Sequence, residues 1–344
     1  MNGDRWATAV LFGLALLVLG GLVWLAGVDD TLAALARARP PIVAVVVALA
    51  VTWLVTWGLS LHVVLDALGS PISAQKAVLV FTAAMFSNNI TPFGQAGGEP
   101  VSAILISEAA ESEYETGLAA IASVDTLHFV PSIGMALTGI TLLAMQAASI
   151  SRDLYFSVAV LAGLFTLVVG IATLVYHYHH RIEKAIATAV TPIVQLVSRV
   201  IPGRSQPNRA AVTDRIGSFF ESIDRIGTER RALVLAGGFS TLGWAILAIT
   251  LWVSATAVGA AIPLAAALIA VPIGLIAGAT PLPGGSGAIE TAIAAILVSL
   301  TTISNGSAVA AVLIYRLATY WLPTVVGGLV AAGLGAHSAR RRTS

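Results

Sequence analysis

The chain has no cysteine, few charges and almost no lysine. The first absence excludes disulfides, thiolate metal sites and cysteine nucleophiles. Only 10% of the 344 residues are charged and 57% are hydrophobic, whereas an average soluble domain carries about 25% charge. Sixteen arginines stand against two lysines, a bias that fits a GC-rich genome and says little about substrate. No His, Asp or Glu cluster has the spacing of a zinc or magnesium site. No GxxxxGK[ST], HExxH or Gly-x-Ser-x-Gly string occurs either. Metal, nucleotide and hydrolytic chemistry therefore lack a motif, and the expectation is a non-enzyme with no cofactor, no metal and no nucleic-acid partner.

What fills the chain is apolar sequence. Runs of 20 or more residues lie at 6–28, 41–65, 118–145, 154–176, 233–258 and 308–334, each the length of a membrane-spanning helix. The first follows Arg5 and lacks a small-x-small cleavage site, so it reads as a retained helix rather than a signal peptide. Nine of the eighteen Lys and Arg residues fall within 181–231, and three more form Arg340-Arg341-Arg342. The excess of positive charge puts both regions, and both termini, on the cytoplasmic side of the cell membrane. Arg37 and Arg39 fall outside in this scheme and run against it.

Two further apolar regions are each a pair of short arms broken by Gly and Pro. One pair flanks TPFGQAGGE and the other flanks TPLPGGSGAIE. Arms of 9 to 17 residues are short for a layer of about 30 Å, so both regions read as re-entrant helical hairpins with their tips inside the protein. The two regions also look like copies offset by about 190 positions. ALGSPISAQKAV from Ala67 aligns with AVGAAIPLAAAL from Ala257, Thr91-Pro92 with Thr280-Pro281, Glu99 with Glu290, and DTLHFVP from Asp125 with RLATYWLP from Arg316.

The expected fold is thus an all-α integral membrane protein, a polytopic helical bundle of two inverted-topology repeats, each with a re-entrant helical hairpin. Its expected divisions are an N-terminal helix and loop (1–40), a first repeat (41–153, hairpin at 76–108), a connecting span and basic amphipathic segment (154–231), a second repeat (232–335, hairpin at 263–303) and a basic tail (336–344). Within the connector, Val212, Ile216, Phe219, Ile223 and Ile226 recur at helical spacing with Arg215, Glu221, Asp224 and Arg225 on other faces. That pattern predicts an amphipathic helix on the cytoplasmic surface.

Charges at membrane depth are costly and mark candidate sites. Here they are Glu99, Asp125, Glu290 and Arg316. Glu99 and Glu290 have two compatible roles, capping the first turn of a helix or touching substrate. Asp125 and Arg316 are expected either to pair with each other across the halves or to bind a headgroup, Arg316 through its donor fork. Gly94, Gly97, Gly98, Gly284, Gly285 and Gly287 permit tight turns and close ligand approach to backbone amides, and helix starts at the tips offer N–H groups to an anion. Thr91, Pro92, Thr280, Pro281 and Tyr320 complete the candidate set. YHYHH at 176–180 reads as interfacial aromatics with solvated histidines, His62 and His128 as hydrogen-bonded packing residues, and Trp53, Trp57 and Gly327-Gly328 as helix-packing residues that leave a homo-oligomer open.

NNITPFGQAGGEP at 88–100, TPLPGGSGAIE at 280–290 and RLATYWLP at 316–323 together resemble the lysylphosphatidylglycerol synthase transmembrane region family, also called the flippase-like domain family. The likeness is to the flippase portion of the multiple peptide resistance factor, without the soluble aminoacyl transfer domain, so aminoacylation is not carried over. The resemblance implies a flippase or scramblase for an anionic phospholipid or polyprenyl-phosphate-linked lipid, with membrane lipids as partners. A proton-coupled small-solute carrier using Glu99, Asp125 and Glu290, or a membrane partner of a lipid-modifying or glycosyl-transfer enzyme, are the alternatives.

Overall fold

The computed structural model describes residues 2–146 and 209–343, and every regular element among them is helical. Helices α1 (Asn2–Ala26) and α2 (Val28–Ala36) meet at Gly27, where φ is +91° and the axis turns by 91°. Helix α3 (Pro40–Ala67) leads into the first hairpin, α4 (Ala74–Ile90) and α5 (Gln95–Ala110), and then α6 (Tyr114–Gln146). After the undescribed stretch come α7 (Arg209–Thr228) and α8 (Arg230–Ala257). The second hairpin follows, α9 (Leu264–Ala277), a 3-10 turn (Pro283–Gly285) and α10 (Ala288–Leu300). Helix α11 (Asn305–Arg316) then passes through a π-turn (Leu317–Trp321) into α12 (Leu322–Thr343).

The protein is a multi-pass membrane protein. Five described helices are long and apolar enough to cross a membrane, or six if the bent α1 and α2 count as one span. They account for the runs expected at 6–28, 41–65, 118–145, 233–258 and 308–334. The run at 154–176 and the YHYHH string lie outside the described residues. One arm differs from expectation: with its 3-10 turn, Pro283–Leu300 reaches 18 residues and spanning hydropathy, so shortness alone does not mark it as re-entrant.

Local chemistry explains where the helices start and stop. Ser73 begins α4 by accepting from Lys76 N at 3.3 Å, and Ser304 begins α11 by accepting from Ser307 N at 3.3 Å. The same layout recurs along the chain: α3 and α8 are both 28 residues long, and each is followed by a glycine at φ +76°, Gly69 and Gly259.

The two halves interlock. α3 packs along α8, α4 along α12 and α9 along α6. Because lipid tails compete for apolar surface, such contacts rest on close fit and interhelical hydrogen bonds. At the α3–α8 crossing Ser60 Oγ donates to Ala236 O at 3.2 Å, and a Cβ on Gly243 would lie 2.0 Å from Trp57 Nε1. Trp53 and Trp57 are buried in this core, and Gly327 lies on the Thr82 carbonyl. These packing residues therefore join helices within one chain. Helix α7 forms as expected and packs on α6, with Ile226 buried and Arg225 Nη1 donating to Leu68 O at 3.4 Å.

Candidate functional site

The tips of the two hairpins touch. A Cβ on Gly284, in the second tip, would lie 3.1 Å from the backbone of Asn89, in the last turn of α4. Asn89 Nδ2 donates to Thr324 Oγ1 at 2.8 Å and to Tyr320 O at 3.2 Å, while Tyr320 Oη donates to Asn89 O at 3.2 Å. Neither Asn88 nor Asn89 was among the residues singled out from sequence. Two adjacent buried amides in apolar surroundings were the available signal.

In the second half Arg316 ends α11, and its guanidinium closes on Glu290. The Arg316 Nε to Glu290 Oε1 distance is 2.6 Å, with the two side chains 10% and 4% exposed. The other carboxylate oxygen, Oε2, accepts from Gly287 N at 2.6 Å. Glu290 is the third residue of α10, where a carboxylate reaches back to the N-cap amide and complements the helix dipole. Gly287 itself has φ +90°, and a Cβ there would lie 2.6 Å from Val18 of α1, so this cap needs glycine. Arg316 Nη2 donates to Gly284 O at 3.3 Å, and its Cζ lies 4.5 Å from the Tyr320 ring centroid. Pro281 and Thr280 sit in the same tip, Thr280 with a buried, unpartnered hydroxyl.

The first half is built differently. Phe93 and Gly94 adopt positive φ, 64° and 55°, so α5 begins at Gln95 and Glu99 falls past its first turn. The expected capping role is therefore corrected for Glu99 and holds for Glu290 alone. Glu99 instead lies beside the carboxyl of Asp125, in the middle of α6. Thr91 Oγ1 closes the end of α4 on Ser87 O at 2.8 Å. Gly97 lies over Pro92, and Gly98 over Asn88, where a Cβ would stand 2.1 Å from Oδ1.

Three more expectations change. Asp125 and Arg316 do not pair across the halves; each joins the glutamate of its own hairpin, because the hairpin and the following long helix pack side by side within each half. His128 is buried without a hydrogen-bond partner on either ring nitrogen, and His62 Nδ1 likewise has none. His128 instead lies flat on Trp57, ring centroids 3.9 Å apart. The helix amide of the second tip, expected to be free for an anion, is occupied by Glu290. Among the described residues no group of three His, Asp or Glu could hold a metal.

Comparison with known proteins fits this architecture. A UPF0104 membrane protein of Methanothermobacter thermautotrophicus is 29% identical over 94% of this chain and 92% of its own length. A UPF0104 membrane protein of Pyrococcus horikoshii is 20% identical over 93% of this chain and 95% of its own. The lysylphosphatidylglycerol synthase TM region profile matches residues 10–327, which takes in both hairpins, Glu99, Asp125, Glu290 and Arg316. The chain belongs to the lysylphosphatidylglycerol synthase TM region family.

Proposed function

We propose that the protein is a flippase or scramblase that carries an anionic lipid, a phospholipid or a polyprenyl-phosphate-linked one, across the cell membrane without catalysing a reaction of its own. The observation that carries this reading is the buried guanidinium of Arg316 where the hairpin tips meet. Its Nε–H is taken by Glu290 and one Nη2–H by Gly284 O. Nη1 and the other Nη2–H remain, side by side, as an end-on fork. That fork matches two oxygens of a phosphate, and each charge-assisted bond contributes about 1.5–3 kcal/mol. Glu290 neutralises the arginine when no headgroup is present, which keeps an uncompensated charge out of the bilayer. Gly284, Gly285 and Gly287 let Tyr320, Gly278 and Val18 close on the tip and so shape it, while the lipid tail would stay in the membrane.

The two hairpins would enter from opposite faces, with both termini cytoplasmic, and rocking of one half against the other would alternate access to the junction. The contacts between the halves that such a motion would have to slide are α3 on α8, α4 on α12 and α9 on α6. The test is reconstitution into liposomes with fluorescent phosphatidylglycerol and, separately, fluorescent polyprenyl phosphate. Protein-dependent translocation of one of them is expected, and R316K should slow it at least about tenfold, since a lysine offers a point charge in place of the fork. No translocation of any anionic lipid would overturn the reading; full activity in R316K would remove the fork from it.

A further inference from the structure

The two halves give their hairpin glutamates different partners at the same spacing. Glu290 meets Arg316, 26 residues further on, and Glu99 meets Asp125 at that same interval. Where the second half has a guanidinium, the first has another carboxyl. Two ionised carboxylates are acceptors only and cannot hydrogen-bond each other. Two carboxyls set side by side where α5 packs on α6 hold one proton between them at lower cost than two charges. The first half thus has a place for a removable proton where the second half has a permanent cation.

A second observation points to the same ligand. His128 follows Asp125 by one turn on the same face of α6, is 5% exposed, and has no partner at Nδ1 or Nε2. The indole N–H groups of Trp53 and Trp244, within the same aromatic cluster, are also buried without partners. A neutral imidazole with an idle acceptor nitrogen can take a proton from a neighbouring carboxyl and pass it on.

Few other titratable groups surround the pair. Lys76 of α4 is held by Ala109 O at 2.6 Å, at the far end of the hairpin from Glu99. Glu108 lies at that same end of α5, and Tyr114 and Glu115 open α6. Of the helices packed on α6, α9 has no titratable residue. α8 has Arg230 and Arg231 in its first turn, α3 has His62 and Asp66, and α7 has Asp214, Arg215, Glu221, Asp224 and Arg225 besides its first residue, Arg209.

We propose that Glu99 and Asp125 form a proton-binding site, that His128 passes the proton to and from it, and that one proton travels with each anionic headgroup. The proton site stands on its own geometry; its cargo rests on the lipid-transport reading above. The coupling follows from charge. Arg316 and Glu290 already cancel, so a phosphate monoanion at the junction adds one negative charge to a low-dielectric interior. A proton taken up by Glu99 and Asp125 lowers the charge of that pair from two negative to one and so offsets the charge the phosphate brings, while its loss leaves two like charges that push α5 from α6. The connection between the sites is short: Asn88 lies against Gly98, beside Glu99, and the next residue, Asn89, holds Tyr320.

The test has two arms on the full chain. In nanodiscs, infrared difference spectra across a pH titration should show a protonated-carboxyl band that is absent in E99Q and in D125N. E99D, which keeps both carboxyls, should retain it and guards against a merely misfolded variant. In liposomes with fluorescent phosphatidylglycerol, a pH difference of one unit should bias the lipid distribution by up to about tenfold, and E99Q and D125N should not respond to the gradient. His128→Phe should slow the response of the band to a pH jump. Absence of a titrating band assignable to Glu99 or Asp125 overturns the proton site. A band with a lipid distribution indifferent to the gradient overturns the coupling. A band in a protein that moves no lipid removes the transport reading while supporting the site.

Discussion

Removing the negative charge of Glu290 tests the ion pair at the junction directly. In E290Q the side chain keeps its shape and can still accept from Gly287 N, but Arg316, 10% exposed, is left as a buried charge with only the Gly284 carbonyl and the Tyr320 ring against it. Stripping one partner from a buried pair costs about 3–5 kcal/mol. E290A loses the cap as well, and a lost N-terminal cap adds about 1 kcal/mol. The order of stability should be wild type, then E290Q, then E290A, read from thermal or denaturant unfolding in nanodiscs of a zwitterionic lipid. The double variant E290Q/R316M removes both charges and should recover most of the E290Q loss, a coupling well above the scatter of about 0.5 kcal/mol seen for independent sites. Adding phosphatidylglycerol to the nanodisc should stabilise E290Q more than wild type, because the freed guanidinium gains an anion. A loss below about 1 kcal/mol in E290Q, or additive losses in the double variant, would refute the view that these groups depend on each other.

Other positions give independent checks. G243L forces a side chain into the space of Trp57 Nε1 and should separate α3 from α8, reducing stability by about 3 kcal/mol or preventing folding; unchanged unfolding would deny that crossing its role. Y320F removes one hydrogen bond to the Asn89 carbonyl and should cost about 1 kcal/mol with a parallel drop in lipid movement, and N89A, which releases the two side-chain bonds to Tyr320 O and Thr324 Oγ1, should cost more. G287A combines φ +90° with a Cβ 2.6 Å from Val18 and should destabilise more than an alanine at Gly134, which has open space around it.

Much of this architecture was legible because a membrane simplifies the code. Long apolar runs fixed the positions of α3, α6, α8 and the α11–α12 stretch, and Gly-Pro interruptions located both hairpins. Repeat matching identified Glu99, Asp125, Glu290 and Arg316 as a set. It could not say who pairs with whom, since opposite charges suggested Asp125 with Arg316, whereas antiparallel packing of each hairpin on its own long helix brings 99 to 125 and 290 to 316. Pattern also failed at the start of α5. A helix was expected to open near Pro100, yet the positive φ values of Phe93 and Gly94 start it five residues sooner and carry Glu99 out of the capping turn. Asn89 was read only as part of the NNITPFGQAGGEP motif and not as a site residue; its importance comes from the second half's tip arriving beside it.

The π-turn shows how a one-residue difference between the halves becomes a site. Gly69 and Gly259 are 190 positions apart, Asp125 and Arg316 are 191 apart, and Pro131 and Pro323 are 192 apart. The extra residue between Arg316 and Pro323 falls within Leu317–Trp321, the π-turn. A π-turn absorbs one inserted residue without altering the register of the helix around it. Helix α12 can therefore keep its place on α4, with Gly327 on the Thr82 carbonyl and Gly328 on Phe86, while Tyr320 swings over Arg316 and reaches Asn89. Deleting Ala318 should restore an ordinary helical turn there. The protein should then fold, with α12 still seated on α4, but lose the Tyr320 contacts and most lipid movement. Deleting Val330, beyond the turn, should instead shift the rest of α12 by about 100° with no local slack to take it up, lowering stability more. If the two deletions were equally disruptive, or if the Ala318 deletion moved lipid as the wild type does, the inserted residue would have no part in building the junction.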